Sequence, residues 1–472
     1  MTETKTTEPK NVSANLGTHS LTRREAAAAG LAALIVPRHV LGGAGYQAPS
    51  DTLAIAGVGV GGMGFTYLRN CESQRIVALC DLDFENYALR TVRRYPKATL
   101  YRDYREMFDK EAKNFDALII AVPDHWHAIM LMSALRMKKH FYCAKPVVHT
   151  LHELRTVMTA EPEAKVVSQL SVQASASEGA CSTAEILMSG AIGDVREVHL
   201  WTSHPIEPAG LRRPADTPPV PHGMDWDKWI GPAPYRPYHS AYHPWNWRAW
   251  WDFGEGTVGD MMCHGLFVFY DALKLCPPSS VHAYRSKMHE GPMRITPEFV
   301  EILPPLVETP ESESYSNVVI WDFPERQGLP PLRFHWYDGG MRPPRPIGMS
   351  PQRPMPADAT LYVGDKGTLL TGYGGGRNIL MPEAKFRDFQ PPPKTLRRTI
   401  GHYREWIEAC KGGQPTTCPI QFGGKMTEVA LLGAIAARTE RYLEWDSKNL
   451  TITNDKEANA LVQRPYREGY TL

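Results

Sequence analysis

The sequence lacks any apolar run long enough to cross a membrane. A spanning helix needs about 20 residues; the uncharged stretch Ala26 to Val36 is too short and is broken by Pro37, and no other run qualifies. Surplus charge is also missing. The 52 Lys and Arg against 51 Asp and Glu leave a net charge of +1, which removes the overall electrostatic case for nucleic acid. The eight cysteines form no CxxC and no metal-ligand spacing, so they read as isolated buried thiols. Internal repeats, coiled-coil heptads and long charge runs are absent too. Two residue types are in excess: the 40 prolines are about 8.5% of the 472 residues, against a usual figure of about 5%, and there are 12 tryptophans. With 43% hydrophobic and 22% charged residues, the chain can bury a sizeable core.

Near the N-terminus, Thr22-Arg23-Arg24-Glu25 precedes the Ala26–Val36 stretch. A positive pair ahead of a short apolar region is the layout of an export signal, and adjacent arginines suggest the twin-arginine type. An ordinary amphipathic N-terminal helix would show an apolar periodicity that this Ala-rich run lacks. Residues 1–50 are therefore predicted to be a signal and tether. The expectation is export to the periplasm, with no stable membrane span after signal removal. The twin-arginine route carries folded proteins, so a tightly held cofactor could be loaded beforehand.

Leu53 to Val58 is a short apolar run of the kind that forms a strand buried on both faces. Gly59-Val60-Gly61-Gly62-Met63-Gly64 follows, then a helix-compatible stretch from Phe65 to Asn70. This is GxGxxG. Gly59 allows the tight turn, Gly61 lets the backbone approach a pyrophosphate, and Gly64 lets helix and strand pack closely. The phosphates would sit on the helix N-terminus, where free N–H groups favour an anion. Arg75 to Cys80 reads as a second strand, ending at Asp81, 22 residues after Gly59. That is close to the roughly 20 expected for a carboxylate on the ribose hydroxyls. Leu82 follows instead of Arg, which favours NAD over NADP. A third strand, Phe115 to Val122, runs into Pro123-Asp124-His125-Trp126-His127. Val122, Pro123 and His127 are candidate cofactor contacts there, and Asp124 could cap the following helix. Lys139 to Ala144 reads as a further strand, placing Lys145 at its carboxyl end in the cleft. The nucleotide-binding domain is predicted over 51–170.

The chain resembles the glucose–fructose oxidoreductase / inositol dehydrogenase / MocA (Gfo/Idh/MocA) family, and in particular its exported bacterial branch. The resemblance covers about residues 50 to 472. It rests on GVGGMG at 59–64, PDHWHA at 123–128, CAKP at 143–146, WWDFGEGTVGDMMCH at 250–264, WD at 445–446 and YREGY at 466–470. It implies an α/β Rossmann domain with a parallel sheet, then an α+β domain with an open-faced, mostly antiparallel sheet. It further implies a tightly bound nicotinamide cofactor, a sugar-like or polyol substrate, and self-association through the exposed sheet face. Lys145 matches the lysine of the family's Glu-Lys-Pro signature, and Asp260 and His264 match its DxxxH pair. Three positions depart from the pattern. Ala144 replaces the signature glutamate, Val172-Gln173-Ala174-Ser175 replaces an expected Asn-Gln-Gly-His, and Phe267 stands where an acidic residue is common.

The second domain is predicted over 171–472, with strands at 195–202, 280–288, 317–323, 332–336 and 360–363 and helices at 265–275, 402–410 and 425–439. Between them lies the compositional excess. Seven of the 12 tryptophans fall in 201–251 and ten of the 40 prolines in 205–244. Runs such as Pro218-Pro219-Val220-Pro221 exclude helix and central strand. The segment 203–251 is read as an ordered arm packed over the site or over a partner subunit. Its Trp247, Arg248, Trp250 and Trp251 are candidate substrate contacts, because aromatic rings stack on the apolar C–H faces of sugars; core packing is the other reading. On a helix Asp260 and His264 are i and i+4, on one face, with Asp260 at the N-terminal end. No third ligand lies near them, so no metal is expected.

These readings point to an NAD(H)-dependent oxidoreductase acting on a hydroxyl of a small carbohydrate. His264 is the expected base, Asp260 its orienting group, and Lys145 the group that polarises the reacting oxygen. Without a glutamate at 144, Lys145 is expected to lack an ion-pair partner and to share in proton transfer. Two alternatives remain: a glycoside-cleaving enzyme that oxidises, eliminates and reduces with one recycled NAD, and a non-catalytic NAD-retaining sugar- or partner-binding protein.

Overall fold

Short apolar runs closed by glycine or a polar residue become the strands of the first sheet. In the computed structural model, which describes residues 51–205, 207–298 and 301–472, six parallel strands lie in the order β3-β2-β1-β4-β5-β6. They are β1 (Ala54–Val58), β2 (Arg75–Cys80), β3 (Thr99–Tyr101), β4 (Ala117–Ile120), β5 (His140–Cys143) and β6 (Ser168–Leu170). Every residue of β1 and β4 is buried, as expected of a parallel sheet with helices on both faces. The strand order reverses between β1 and β4, which opens a crevice beyond their carboxyl ends, directly at Gly59. The signal and tether expected over 1–50 lie outside the described residues.

The second sheet has nine strands in the order β15-β14-β13-β7-β12-β11-β8-β16-β17. These are β7 (Val195–Trp201), β8 (Ser280–Arg285), β11 (Asn317–Phe323), β12 (Leu332–Tyr337), β13 (Ala359–Gly364), β14 (Thr368–Gly372), β15 (Ile379–Met381), β16 (Leu443–Asp446) and β17 (Thr451–Ile452), with the β9–β10 pair (Arg294–Ile295 and Glu301–Ile302) set apart. All its neighbours pair antiparallel except β7 and β12. Burial alternates along β11: Val319, Trp321 and Phe323 face the core, and Val318, Ile320 and Asp322 are half-buried on the other side.

One helix, Ile420–Thr439, ties the two sheets together. Trp321 stacks on Phe334, with centroids 5.0 Å apart, and donates its indole N–H to the Val429 carbonyl at 3.0 Å. A Cβ at Gly433 would run into that indole, and one at Gly423 would lie 2.7 Å from the Leu170 side chain. Small residues thus set the approach distance at both ends. The C-terminal segment also returns to the first sheet. The Leu170 N–H donates to Cys418, and Trp406 and Ile407 join the apolar cluster under Tyr142 and Ile119. The last strand of the first sheet ends at Leu170 and the second sheet begins at Val195, while packing runs continuously from Leu53 to Leu472.

Several local expectations shift. The helix expected over 265–275 ends at Phe269, and that expected over 425–439 starts at Ile420. The strands β3, β6, β14 and β15 are short, three to five residues each, and escape a periodicity reading. Among the described residues, no helix is long and apolar enough to cross a membrane.

Replacing Trp321 with Ala removes the side chain that meets Gly433 and Val429 between this helix and the second sheet. Its unfolding free energy in denaturant titrations is expected to fall by about 3–5 kcal/mol.

Candidate functional site

The glycine loop is shaped as its spacing predicts. Gly59 has φ +71°, and a Cβ there would lie 2.6 Å from the Ala121 carbonyl. A Cβ on Gly64 would collide with the Gly59 carbonyl, so this glycine allows the helix Gly62–Asn70 to sit against β1. The side of Gly61 and Gly62 that a Cβ would fill is covered by the ring of Tyr87. Gly61 caps the helix with no side-chain acceptor, which leaves its first N–H groups for an anion. Asp81 braces the loop from the end of β2: one oxygen accepts from the Val60 N–H at 2.8 Å and the Gly61 N–H at 3.1 Å, and the other from the Asp83 N–H at 3.0 Å.

The loop opens into a cavity of about 380 Å³. Of the residues singled out from sequence, Gly59, Gly61, Met63, Asp81, Leu82, Val122, Pro123, Lys145, Trp247, Arg248, Asp260 and His264 line it. The others do not. Val60 is core, and Gly62 and Gly64 serve the turn and its packing. His127 is fully buried, with Nδ1 2.7 Å from the Pro146 carbonyl and Nε2 2.9 Å from the Val122 carbonyl; the ring nitrogen that carries the proton donates to its carbonyl, and the side chain does not line the cavity. Trp250 is fully buried and donates to the Ala241 carbonyl at 2.8 Å; Trp251 sits in the main core. For these two tryptophans the core-packing reading holds in place of a substrate contact.

At the end of β5 the Lys145 ammonium donates to Asp260 Oδ1 at 2.5 Å. Arg248 Nε reaches the same oxygen at 3.3 Å. The Arg248 guanidinium lies between the rings of Trp245 (4.0 Å) and Trp247 (4.2 Å), and Glu207 Oε1 is 3.7 Å from its Nε. Two expectations are corrected here. Lys145 is not left without a carboxylate partner by Ala144, because Asp260 supplies one from the second domain. Asp260 is also not at a helix start. It lies in the last turn of Gly256–Met261, and a break at Met262 precedes Cys263–Phe269, which carries His264.

Burial resists ionisation of Asp260, but Lys145 and Arg248 outweigh it and hold its carboxyl well below the usual carboxylate range. Burial, reinforced by the Lys145 charge, pushes the His264 imidazole down to about 3, so it is neutral at physiological pH. Asp124 behaves oppositely. It occupies the first position of the helix Asp124–Arg136, behind Pro123, and caps nothing; both its oxygens are buried without a hydrogen-bond partner. Burial, aided by the nearby Asp260 charge, pushes it up to about 8.

The arm forms one wall of this cavity. His204, Glu207, Lys228, Trp229, His243, Pro244 and Trp245 all line it. Behind them Trp226 and Trp229 stack at 4.6 Å, within a cluster that includes Tyr242, Trp250 and Phe253. The arm is fastened to the nucleotide-binding side by the His222–Glu85 pair at 2.9 Å and by the Trp126 indole N–H donating to the Trp229 carbonyl at 3.0 Å. Asp124, Tyr87, His204, Glu207, His243 and Trp245 were not identified as cavity residues from the sequence. Only the density of aromatics around 226–251 hinted at this wall.

Comparison with known proteins agrees with this geometry. Residues 52–173 match the profile of an oxidoreductase family with an NAD-binding Rossmann fold, and residues 210–272 match that family's C-terminal alpha/beta domain. Inositol 2-dehydrogenase of Salmonella paratyphi B is 28% identical over 154 residues, 31% of this chain and 45% of the relative. The chain thus spans about half the length of the curated relatives it matches, or less. Among solved structures, the WlbA dehydrogenase from Bordetella pertussis, in complex with NADH and UDP-GlcNAcA, has a TM-score of 0.54 at 15% identity, covering 84% of this chain and 99% of that one. The myo-inositol 2-dehydrogenase from Lactobacillus plantarum has a TM-score of 0.52 at 14% identity, covering 84% and 100%. These last two likenesses concern the fold. With both family profiles matched in order, the two-sheet architecture and the glycine loop in place, residues 52–173 and 210–272 belong to the two domains of the Gfo/Idh/MocA oxidoreductase family.

Proposed function

We propose that the protein holds NAD(H) in this cavity and acts on a hydroxyl-bearing carbon of a neutral sugar, glycoside or polyol. The observation that carries this reading is the Lys145–Asp260–Arg248 cluster beside His264, placed at the carboxyl end of β5 within the same cavity as the glycine loop. The loop fits a dinucleotide: two of its glycines admit no Cβ, and the helix behind it leaves N–H groups uncapped. Asp81 and Leu82 would meet the ribose; a carboxylate there repels a 2′-phosphate. Arg102, on the same wall, is already engaged by Glu85 and the Leu82 carbonyl.

When bound, the cofactor supplies hydride exchange. The chain supplies position and charge. Asp260 fixes the Lys145 ammonium, whose remaining N–H groups point donors at a substrate oxygen and favour alkoxide character there. The neutral His264 imidazole offers the lone pair that takes the hydroxyl proton; held at about 3 it is a weak base, so the transfer depends on Lys145 favouring the alkoxide. Arg248, stacked between two tryptophans, holds Asp260 from the far side. The cations Lys145 and Arg248 are already matched by Asp260 and Glu207, which suits an uncharged substrate.

A second reading is favoured by the arm. His204, Glu207, Trp229, Trp245 and Arg248 are among its residues that line the cavity, so cofactor exchange would require moving a segment backed by a packed aromatic cluster. A resident cofactor that is oxidised and reduced within one turnover suits that enclosure, with glycoside cleavage as the net result. Export, proposed from Arg23-Arg24, would keep such an enzyme away from a free NAD pool. The partly open face of the second sheet, with Tyr284 exposed, supports self-association.

Three outcomes test these readings. Lys145→Met and Asp260→Asn should each lower kcat by about 10²-fold or more, while NAD affinity, read by fluorescence titration, stays within a few-fold. Unchanged turnover in both would reject the site. Asp124 is neutral below about pH 8 and adds a second negative charge above it, so kcat/KM should fall as pH rises through 8. Asp124→Asn should remove that fall. Because the carboxyl is raised in the folded state, its contribution to stability is lost as pH rises from the unfolded value of about 4. The variant should therefore melt higher than wild type at pH 8 and not at pH 4. Finally, NAD should co-purify with the chain, as read by denaturing mass spectrometry. Glycoside cleavage without added NAD and without net NADH would select the recycling reading, and stoichiometric NADH the simple dehydrogenase.

A further inference from the structure

The open face of the second sheet carries a cluster that the cavity does not use. β7 and β12 run parallel in register, so Glu197 lies opposite Arg333 and His199 opposite His335, with their side chains on the outer face. The two imidazoles stack, with centroids 4.5 Å apart and planes 19° apart. His199 Nε2 lies 3.4 Å from Glu197 Oε2. One ring nitrogen from each histidine and a carboxylate oxygen of Glu197 all fall within 4.8 Å of one another. None of the three residues lines the central cavity.

Three details distinguish this group from a chance surface cluster. Arg333 stands directly opposite Glu197 yet donates instead to Asp322 Oδ1 at 2.8 Å, on the next strand, leaving the Glu197 carboxylate turned to His199. Tyr337 OH meets His199 Nδ1 at 3.0 Å, a bond that fixes the ring and frees Nε2. His335 Nε2 is buried with no hydrogen-bond partner. Such an orphaned ring nitrogen is costly unless something else satisfies it.

We propose that Glu197, His199 and His335 form a binding site for one divalent transition cation of the zinc type, on the outer face of the second sheet and separate from the redox cavity. Two imidazoles and one carboxylate are a ligand set that suits such an ion, with a fourth position open to water. Burial holds both imidazoles down at about 4, so they are neutral, the ligating form, at physiological pH. The charged and titratable groups around them are Arg333, Asp322, His282 and Tyr337. Arg333 and Asp322 neutralise each other. Ligand atoms around a tetrahedral ion at about 2.1 Å stand roughly 3.4 Å apart, so the imidazoles must turn out of their stack as the half-exposed Glu197 closes over the ion.

The test uses the whole purified chain, stripped with chelator and titrated with Zn²⁺ by calorimetry and with Co²⁺ by visible absorption. One ion per chain is expected, with Co²⁺ giving the visible bands of a site with nitrogen and oxygen ligands. His199→Phe and His335→Phe keep an aromatic ring in the stack and should each abolish the bands. Tyr337→Phe should weaken Zn²⁺ binding by about 10- to 100-fold. If either histidine variant fails to fold, Glu197→Gln and Tyr337→Phe decide the matter, since an unchanged Zn²⁺ affinity in both overturns the site. Absence of stoichiometric binding to the wild-type chain, or unchanged binding in the double phenylalanine variant, also overturns it.

Discussion

The Asp260 carboxylate is the point on which the candidate site depends. It accepts the Lys145 ammonium from the nucleotide-binding sheet and the Arg248 guanidinium from the arm. A buried carboxylate is costly unless it is paired, and here two cations more than offset the burial. Truncating it would leave two positive groups facing each other in a water-poor cavity. It also sits just before the break at Met262, so the same residue fixes where His264 stands relative to Lys145. Lys145 and, more than 100 residues further on, Arg248 and Asp260 are thereby held to one geometry.

Around that centre the chain builds its enclosure from residues that make poor regular structure. Prolines limit regular structure in 203–251 to two short helices, Trp226–Ile230 and Asn246–Ala249, and aromatics give the segment enough apolar area to pack around them. The Trp226–Trp229 stack and the surrounding Tyr242, Trp250 and Phe253 form a small core of their own, separate from the main one. Its inner edge meets the cavity; its outer anchors, His222–Glu85 and Trp126–Trp229, reach the nucleotide-binding side. The aromatic packing is joined by local backbone hydrogen bonds such as Trp229 to Asp225, Tyr242 to His239 and Trp250 to Trp247.

The second sheet is asymmetric for a related reason. One face is sealed by Ile420–Thr439, whose glycines admit Trp321 and Leu170. Among the described residues, the opposite face carries a buried apolar cluster towards β13 and β14, where Met349 and Met381 pack with Trp201 and Leu370. The remainder presents Ile320, Tyr337 and the His199–His335 pair. Polar and aromatic side chains on that face are free to be specified by something other than the core.

Much of the first domain could be read from the sequence alone, because local rules dictate it. GxGxxG at 59–64 requires a turn with positive φ and a close strand–helix approach, and both are present. Asp81 lies at the expected spacing, and Lys145 at the end of a buried strand. Continuous apolar runs and strict alternation are local patterns, so β1, β4 and β11 could be located. What the sequence did not contain was which distant groups meet. The missing glutamate at 144 suggested an unpaired lysine; only the packing of the second domain brings Asp260 to it. Four tryptophan-arm residues looked alike as substrate contacts; the fold sends Trp250 and Trp251 into cores and leaves Trp247 and Arg248 at the cavity. His127 looked like a cofactor contact until both its nitrogens met backbone carbonyls. Strand periodicity and turn chemistry are set by neighbours in the chain, but the charge state of Asp260, Asp124 and His264 is set by burial and by partners that include groups more than 100 residues away, Lys145 for Asp260 and His264 and Asp260 for Asp124, and that only tertiary structure decides.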